Sequence, residues 1–240
     1  MKLIVCKNYD EISEVAANIL ADVMKANPAC VLGLATGSTP VGMYKKLIVK
    51  NRAGEIDFSS VTTVNLDEYY PIAPDNNQSY RYFMNENLFD HVNIDKTRTF
   101  VPDGMAADPV AACDAYEKIV ASVGAADVQV LGIGQNGHIG FNEPDAALEV
   151  KTHVTDLTES TIKANARFFA SEADVPTKAL TMGIGTILNA KKIIILANGA
   201  AKHAAVAKML EGKLDTSCPA SMLNIHSDVT VICDEAAYNG

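Results

Sequence analysis

The chain has 240 residues and a formal net charge of −9 at pH 7, because 29 Asp and Glu residues outnumber 20 Lys and Arg residues. That length is enough for one large α/β domain, and no Pro/Ser linker, repeat or charge block divides the sequence. The acidic balance disfavours nucleic acid or an anionic membrane surface as the main partner.

The cysteines and the apolar runs indicate where the protein works. Five cysteines are an odd number, and none has C-x-x-C spacing, so buried free thiols in a reducing environment are expected. The apolar run at the N-terminus is too short for a signal peptide, and no apolar stretch approaches the roughly 18 residues of a membrane span. We therefore expect a soluble cytoplasmic protein.

In the first half of the chain, short apolar runs alternate with segments whose apolar residues recur at helical spacing. Asn8 and Glu11 are placed as a capping box for the first helix, Pro40 can begin the second, and Asp108 with Pro109 can cap and begin the fourth. The predicted elements are a strand at 3–6, a helix at 12–23, a strand at 30–36, a helix after residue 40, a strand at 61–66, a helix at 80–91, a strand at 99–101 and a helix from residue 109.

The second half continues the alternation. Largely apolar strands that alternate with helices are typical of a mostly parallel sheet covered on both faces. The expected fold class is therefore α/β, a Rossmann-like, doubly wound sheet in a single domain over residues 1–240. The predicted elements here are strands at 128–133, 152–157, 178–183, 192–197 and 229–233, and helices at 160–169 and 200–210.

Three polar loops begin where predicted strands end, at 36–40, 67–70 and 134–143. In sheets of this kind, ligands bind beyond the carboxyl ends of the strands, at the point where the winding changes direction. We therefore expect the three loops to converge on one cleft.

The loop from Thr36 to Pro40 suits a phosphate. It offers backbone N–H groups and the hydroxyls of Ser38 and Thr39 at the positive end of a helix dipole. It lacks the lysine of a P-loop, and an ordinary helix cap by Ser38 or Thr39 accounts for the motif equally well.

Asp67 directly follows the third predicted strand. Its carboxylate is expected at the rim of the cleft, partly desolvated, with a pKa raised into the range of a general base. For an isolated Asp-Glu pair such as Asp67 and Glu68, a turn or helix cap is the favoured alternative. A metal site built from Asp67, His138 and Glu143 lacks the usual ligand spacing, so no metal is expected.

The third loop holds a histidine and a carboxylate among glycines. His138 and Glu143 are five residues apart, which lets an imidazole and a carboxylate face one cleft and exchange protons near neutral pH. A dinucleotide fingerprint and a turn without a ligand are the alternatives, but Gly140 and Pro144 interrupt the helix that a dinucleotide site needs. The glycines that allow positive φ and close approach to a bound molecule are Gly134, Gly137 and Gly140.

Two basic residues could complete a phosphate site. Arg167 lies in a predicted helix, and Lys202 follows the apolar strand at 192–197. Each alone is more often a solvated surface charge. Lys202 begins a helix, where the dipole disfavours a cation unless an anion is present.

Taken together, these motifs resemble the glucosamine-6-phosphate deaminase family, in order over nearly the whole chain. The most specific run is Gly137 to Pro144. The resemblance implies conversion of glucosamine 6-phosphate into fructose 6-phosphate and ammonia without a metal or organic cofactor. The matching segments are Leu34 to Pro40, Asn65 to Tyr69, Gly132 to Pro144, Ala164 to Phe169 and Gly199 to Lys202.

The resemblance also implies a role for each site residue. Asp67 matches the base that moves a proton between C2 and C1 through an enediol-type intermediate. His138 matches the acid/base that opens the sugar ring, and Glu143 matches its carboxylate partner. The expected substrate and phosphate contacts are Thr36, Gly37, Ser38, Thr39, Gly137, Arg167 and Lys202.

Two departures from the family pattern bear on these expectations. Many members have Asp at the position of Asn136, so His138 has one carboxylate neighbour here in place of two, and Asn136 counts among the catalytic-site residues. Longer relatives carry a C-terminal extension that helps to form a hexamer and an allosteric site. This chain, which stops at Gly240, is expected to be a short, unregulated form, either a monomer or a small homo-oligomer.

Two other functions stay open at this point. A 6-phosphogluconolactonase would share the fold and the phosphate loop, although the run from Phe141 to Pro144 is typical of deaminases. A sugar-phosphate sensor would bind without turnover and would not need Asp67, His138 and Glu143 together. Release of ammonia from glucosamine 6-phosphate separates the three.

Overall fold

The computed structural model describes residues 1–159, 161, 162, 166, 169, 171 and 174–240, and its main sheet has seven parallel strands. The strands are β1 (Lys2–Cys6), β2 (Val31–Leu34), β3 (Thr62–Asn65), β4 (Asp67–Tyr70), β5 (Thr99–Phe100), β6 (Val128–Gly132), β7 (His153–Asp156), β8 (Lys178–Thr181), β9 (Ile193–Ala197) and β10 (Val229–Asp234). Across the main sheet the strand order is β1-β10-β9-β6-β2-β3-β5. The predicted, mostly parallel α/β sheet is confirmed.

The helices begin at the signals that the sequence carries. Asn8 accepts the N–H of Glu11, and Asp108 accepts the N–H groups of Val110 and Ala111, as predicted. The predicted helix at 160–169 lies mostly outside the described residues. The described α-helices are α1 (Tyr9–Ala26), α2 (Val41–Arg52), α3 (Tyr80–Asn87), α4 (Pro109–Val123), α5 (Ile184–Leu188), α6 (His203–Leu210) and α7 (Glu235–Asn239).

The central strands carry the core. Ile193, Ile194 and Ile195 of β9 are fully buried, as expected for a parallel strand whose two faces are both covered. The winding changes direction between β2 and β6, which lie side by side although β3 to β5 separate them in the chain. This is the position at which such sheets bind ligands. No helix among the described residues is long and apolar enough to cross a membrane.

The strands predicted at 152–157 and 178–183 are confirmed as β7 and β8, whereas the prediction of a loop at 67–70 was wrong. Residues 67–70 form a strand rather than a loop, and β4, β8 and β7 make a separate antiparallel sheet of three strands. Successive side chains of a strand point to opposite faces of the sheet, which explains how a polar run becomes a buried strand. Tyr69 packs into a small apolar cluster, whereas Glu68 accepts backbone N–H groups. Asp67 begins this strand, opposite Thr181 of β8.

Candidate active site

A cavity of about 650 Å³ opens at the carboxyl ends of β2, β3 and β6. The three loops that follow these strands converge there, as the fold predicts. Asp67 forms part of the wall as the first residue of β4, and not as part of a loop. The lining residues are Ala35, Thr36, Gly37, Ser38, Thr39, Leu66, Asp67, Tyr80, Gly132, Ile133, Gly134, Gln135, Asn136, His138, Gly140, Phe141, Thr161 and Lys202.

The hydroxyl groups of the loop before α2 do not cap this helix. α2 begins at Val41 with no side-chain cap, so the alternative reading of Ser38 or Thr39 as the cap is wrong. The hydroxyl of Tyr9 instead holds this turn, because it donates to the Ser38 carbonyl at 3.0 Å and accepts the Gly42 N–H at 2.8 Å. The side chains of the loop are therefore not used to cap the helix.

Two further features shape the same loop. Gly37 has a φ of +89° with open space beside it, a conformation that residues with a Cβ rarely adopt. Thr39 donates to the side-chain oxygen of Asn198 at 3.2 Å, which links the loop to the segment after β9. The two loops thus form one wall of the cavity.

Lys202 brings a positive charge to that wall. It ends a short 3₁₀ turn before α6, and its Nζ donates to the Ile133 carbonyl at 2.7 Å. The carboxylate of Asp234 fixes the start of this turn by accepting the Gly199 N–H at 3.0 Å. The ammonium is therefore anchored between two strand ends. Arg167, the other expected phosphate contact, lies outside the described residues.

Asp67 is a buried carboxyl group whose Oδ1 has no hydrogen-bond partner among the described residues. Its residue is only 6% exposed. Burial, followed by the charge of Glu68, raises the pKa of Asp67 to about 8. Such a group exchanges protons readily near neutral pH, as a general base must.

Glu68, in contrast, acts as a cap. Its carboxylate accepts the backbone N–H groups of Tyr69 at 2.9 Å, Tyr80 at 2.8 Å and Arg81 at 2.9 Å, the last two at the start of α3. Burial raises the pKa of Glu68 to about 7, while these hydrogen bonds oppose the rise. The interpretation as a helix cap is therefore correct for Glu68 but not for Asp67.

Gly140 lets the glycine loop approach Asp67. Its φ is +58°, and a Cβ at this position would lie 2.9 Å from Oγ1 of Thr181 and 3.5 Å from Oδ2 of Asp67. A side chain here would therefore be strained and would displace the loop from the carboxyl group.

His138, Asn136 and Glu143 form a second group on the opposite side of the loop. Nδ1 of His138 lies 3.3 Å from Oε2 of Glu143. Asn136 donates from Nδ2 to the same Oε2 at 2.6 Å and accepts the backbone N–H of His138 on Oδ1 at 3.2 Å. The amide therefore ties the histidine backbone to the carboxylate.

Glu143 sits behind His138 rather than on the cavity wall. Burial alone would raise the pKa of Glu143, but the neighbouring His138 ring and the hydrogen bonds from Thr161 and Asn136 outweigh it and lower the pKa to about 2. Thr161 donates to Oε1 at 2.6 Å. Glu143 is therefore a fixed negative charge behind the imidazole.

Gly134 and Gly137 allow close packing at two different places. A Cβ on Gly134 would lie 2.4 Å from the ring of His138, so the ring rests directly on this glycine. Gly137 was expected among the substrate contacts, but it is absent from the cavity lining. Its φ is +87°, and a Cβ there would meet Sγ of Cys218 at 2.5 Å. It lets the loop pack on the turn at residue 218.

The dinucleotide interpretation of this loop is wrong. The N–H of Gly134 donates to the His138 carbonyl at 2.9 Å, and the N–H of Gly137 donates to the Gly134 carbonyl at 3.0 Å. These bonds close a tight turn in place of the helix that would receive a pyrophosphate. Among the described residues, no group of three His, Cys, Asp or Glu side chains could hold a metal ion.

The sequence did not point to Tyr80 or Thr161. Tyr80 stacks on Phe141 with ring centroids 6.0 Å apart and also contacts Tyr69, which gives the cavity an aromatic wall. Only the Thr158-x-x-Thr161 spacing, typical of a helix start, marks the threonine in the sequence. Both residues come from elements outside the three polar loops.

Comparisons with known proteins agree with this geometry. The family model described as glucosamine-6-phosphate isomerases/6-phosphogluconolactonase matches residues 7–232. The glucosamine-6-phosphate deaminase of Clostridium perfringens strain 13 is 58% identical over 237 residues, which cover 99% of this chain and 98% of the relative. The one from Bacillus velezensis is 50% identical over 240 residues, which cover 100% of both.

Solved structures give the same picture. A monomeric glucosamine-6-phosphate deaminase has a TM-score of 0.96 and 49% identity, covering 99% of this chain and 98% of its own. A 6-phosphogluconolactonase from Trypanosoma brucei has a TM-score of 0.79 but 19% identity, covering 98% of this chain and 97% of its own. The second likeness concerns the fold alone.

Proposed function

Since the chain belongs to the family of glucosamine-6-phosphate isomerases and 6-phosphogluconolactonases, we propose that it is a deaminase that converts glucosamine 6-phosphate and water into fructose 6-phosphate and ammonia. The deaminase relatives match at 50–58% identity over the whole chain, whereas the lactonase likeness is limited to the fold. The observation that carries the proposal is the buried carboxyl group of Asp67, which faces the same cavity as His138.

Ring opening falls to His138. To open, the closed sugar must gain a proton on its ring oxygen and lose one from the hydroxyl at C1, and an imidazole can transfer both. Glu143, fixed 3.3 Å from Nδ1, stabilises the imidazolium that forms between the two transfers. Asn136 holds the carboxylate and the histidine backbone in register.

Asp67 carries the next step. Its carboxylate takes the proton from C2 of the open-chain aldehyde, the oxygen at C1 takes up a proton from solvent, and the resulting enol keeps the amine on C2. The same group returns the proton to C1, and the imine left at C2 takes up water and releases ammonia. A buried base whose Oδ1 has no hydrogen-bond partner among the described residues is reactive, because none of those residues stabilises that oxygen when it is ionised.

The phosphate is bound by the wall that the loop at 36–39 and Lys202 form. Thr36, Gly37, Ser38 and Thr39 provide N–H groups and hydroxyls, and Lys202 provides a charge. Arg167 belongs to this site by its motif. Holding the phosphate places C1 and C2 between the two acid/base groups, an orientation effect that can exceed any single proton transfer.

The whole chain acts as one domain in this proposal. β1 and β10, from the two ends of the chain, are neighbours in the main sheet, which supports it. The protein works in the cytoplasm as a monomer or small homo-oligomer, has no nucleic acid or membrane partner, and requires no cofactor, because every step is a proton transfer or a hydration. Analytical ultracentrifugation gives the subunit number.

Ammonia release by the purified protein tests the function. We expect equal amounts of ammonia and fructose 6-phosphate from glucosamine 6-phosphate, and very slow turnover of glucosamine without its phosphate. Consumption of 6-phosphogluconolactone with no ammonia release would replace the deaminase by a lactonase. Binding of the sugar phosphate without any product would indicate a sensor.

A further inference from the structure

We infer that Thr161 is a positioning residue for ring opening that acts on His138 through Glu143, an inference that rests on the proposed function. Thr161 is 8% exposed, and its hydroxyl donates to Oε1 of Glu143 at 2.6 Å. It lies outside the glycine loop that supplies His138, so it is a separate support for the carboxylate.

Each oxygen of the Glu143 carboxylate has its own donor. Oε1 accepts from Thr161, and Oε2 accepts from Asn136 at 2.6 Å. Two donors on opposite oxygens fix the rotation of the carboxylate plane, and Oε2 then faces Nδ1 of His138 at 3.3 Å. Without the Thr161 hydroxyl, one donor is left and the plane can turn away from the ring.

The donors and acceptors around Thr161 indicate that its hydroxyl positions Glu143 rather than binds the substrate. An ionised carboxylate can only accept, so the single hydroxyl proton of Thr161 goes to Glu143. The Thr158 hydroxyl, 3.0 Å away, then donates to the Thr161 oxygen. Although Thr161 lines the cavity, it has no proton left to donate to a sugar hydroxyl.

The bond does not depend on the charge of its surroundings. Thr158 and Thr161 do not titrate in the working range. Among the residues that the structure describes, His138 is the titratable group in contact with Glu143, and Asp67 and Lys202 line the same cavity. Thr161 therefore holds the carboxylate in place both when His138 is protonated and when it is neutral.

The chain offers a matched control outside the cavity lining. Thr186 donates from its hydroxyl to Oε1 of Glu117 at 2.7 Å, the same kind of partly buried bond. Glu117 lies on α4 and also accepts the N–H and hydroxyl of Thr152. Loss of the Thr186 hydroxyl tests the general cost of removing such a bond.

The experiment compares the steady-state kinetics of ammonia release by wild type, Thr161→Val, Thr161→Ser and Thr186→Val. Thr161→Val is expected to lower kcat about tenfold, the effect of about 1.4 kcal/mol in the transition state, with KM changed less than about twofold. Thr161→Ser should retain most of kcat, because the donor is kept. Thr186→Val should match wild type in both constants. If Thr161→Val does not fold, Thr161→Cys replaces it in the comparison, because a thiol is a weaker donor than a hydroxyl.

Two kinetic outcomes would overturn the inference. An unchanged kcat in Thr161→Val would show that the bond does not serve the reaction. A raised KM at unchanged kcat would make Thr161 a substrate contact.

A readout without turnover separates this inference from the proposed function. In ring-¹⁵N spectra of the five histidines at one fixed pH, with His138 assigned by His138→Gln, Thr161→Val should move the Nδ1 signal of His138, because Glu143 turns away from the ring. Thr186→Val should leave that signal unchanged. This result is expected even if the wild type releases no ammonia, an outcome that would remove the deaminase function alone. An unmoved Nδ1 signal in Thr161→Val would contradict the positioning role.

Discussion

Two carboxyl groups serve the same cavity from opposite environments. Asp67 is buried, and its Oδ1 lacks a donor among the described residues, so its pKa rises to about 8. Glu143 is also largely buried but receives bonds from Asn136 and Thr161 beside His138, so its pKa falls to about 2. Burial is common to both, and the neighbouring charges and hydrogen bonds decide the difference. Groups whose pKa values are pushed apart in this way take different parts in acid/base catalysis.

The largest expected effect comes from removing the basic carboxyl group. Asp67→Asn should lower kcat by at least about 10²-fold with little change in KM, as expected when a general base is lost. Single-turnover kinetics and deuterium uptake from solvent at C1 of the product measure the step. Near wild-type turnover would mean that the base lies elsewhere and that the contrast between the two groups has no catalytic meaning.

Removing the charge of the other carboxylate should cost less. Glu143→Gln should lower kcat about 10- to 10²-fold, because the imidazolium loses its stabilising charge while the proton transfers remain possible. Glu117→Gln is the matched control, since Glu117 accepts three hydrogen bonds from Thr152 and Thr186 outside the cavity lining. A loss of the same size in both variants would point to a structural effect.

The pH dependence of the wild type reports on Asp67. A base with a pKa of about 8 must be ionised to act, so kcat/KM should rise about tenfold per pH unit below pH 8. The ionisations of the free substrate are measured separately by NMR, and their effect on kcat/KM is then removed. A rate that stays level from about pH 5 to 8 would show that Asp67 is ionised throughout, against its desolvated environment.

A further effect is on stability, and it should have opposite signs for the two carboxyl groups. The native pKa of Asp67 lies above its unfolded value, so its contribution is present below about pH 4 and lost as pH rises towards 8. Asp67→Asn should therefore gain stability relative to wild type over that range, by at most about 1.4 kcal/mol per pH unit.

Glu143 should behave in the reverse way. Its native pKa is lowered, so its contribution is present above its unfolded value of about 4.3 and lost as pH falls towards 2. Glu143→Gln should lose stability relative to wild type at neutral pH and approach it in acid. Urea unfolding at several pH values measures both trends. Parallel trends for the two variants would contradict the assigned environments.

Much of the fold and part of the site follow from local sequence signals. Apolar runs separated by helical periods predict the parallel sheet, and strand ends mark Asp67 and His138 as neighbours of one cleft. The family resemblance placed Asn136 beside His138, and in the structure its side chain is bonded to the His138 backbone.

What could not be predicted depends on contacts between distant segments. The strand from Asp67 to Tyr70 is polar, and only pairing with residues 178–181 and the partners of Glu68 make it a buried strand. Gly137 faces Cys218 because of a turn some 80 residues later in the chain, which no local pattern encodes. Thr161 reaches Glu143 across 18 residues of sequence.

Carboxyl ¹³C NMR tests the contrast between the two carboxyl groups most directly. Selectively labelled Asp and Glu side chains are followed from about pH 3 to 9, with signals assigned by Asp67→Asn and Glu143→Gln. The Asp67 carboxyl should titrate near pH 8, while the Glu143 signal should stay that of an ionised group over the whole range. Titration of both groups near pH 4, their ordinary range, would contradict the account, because their different surroundings would then not separate their pKa values.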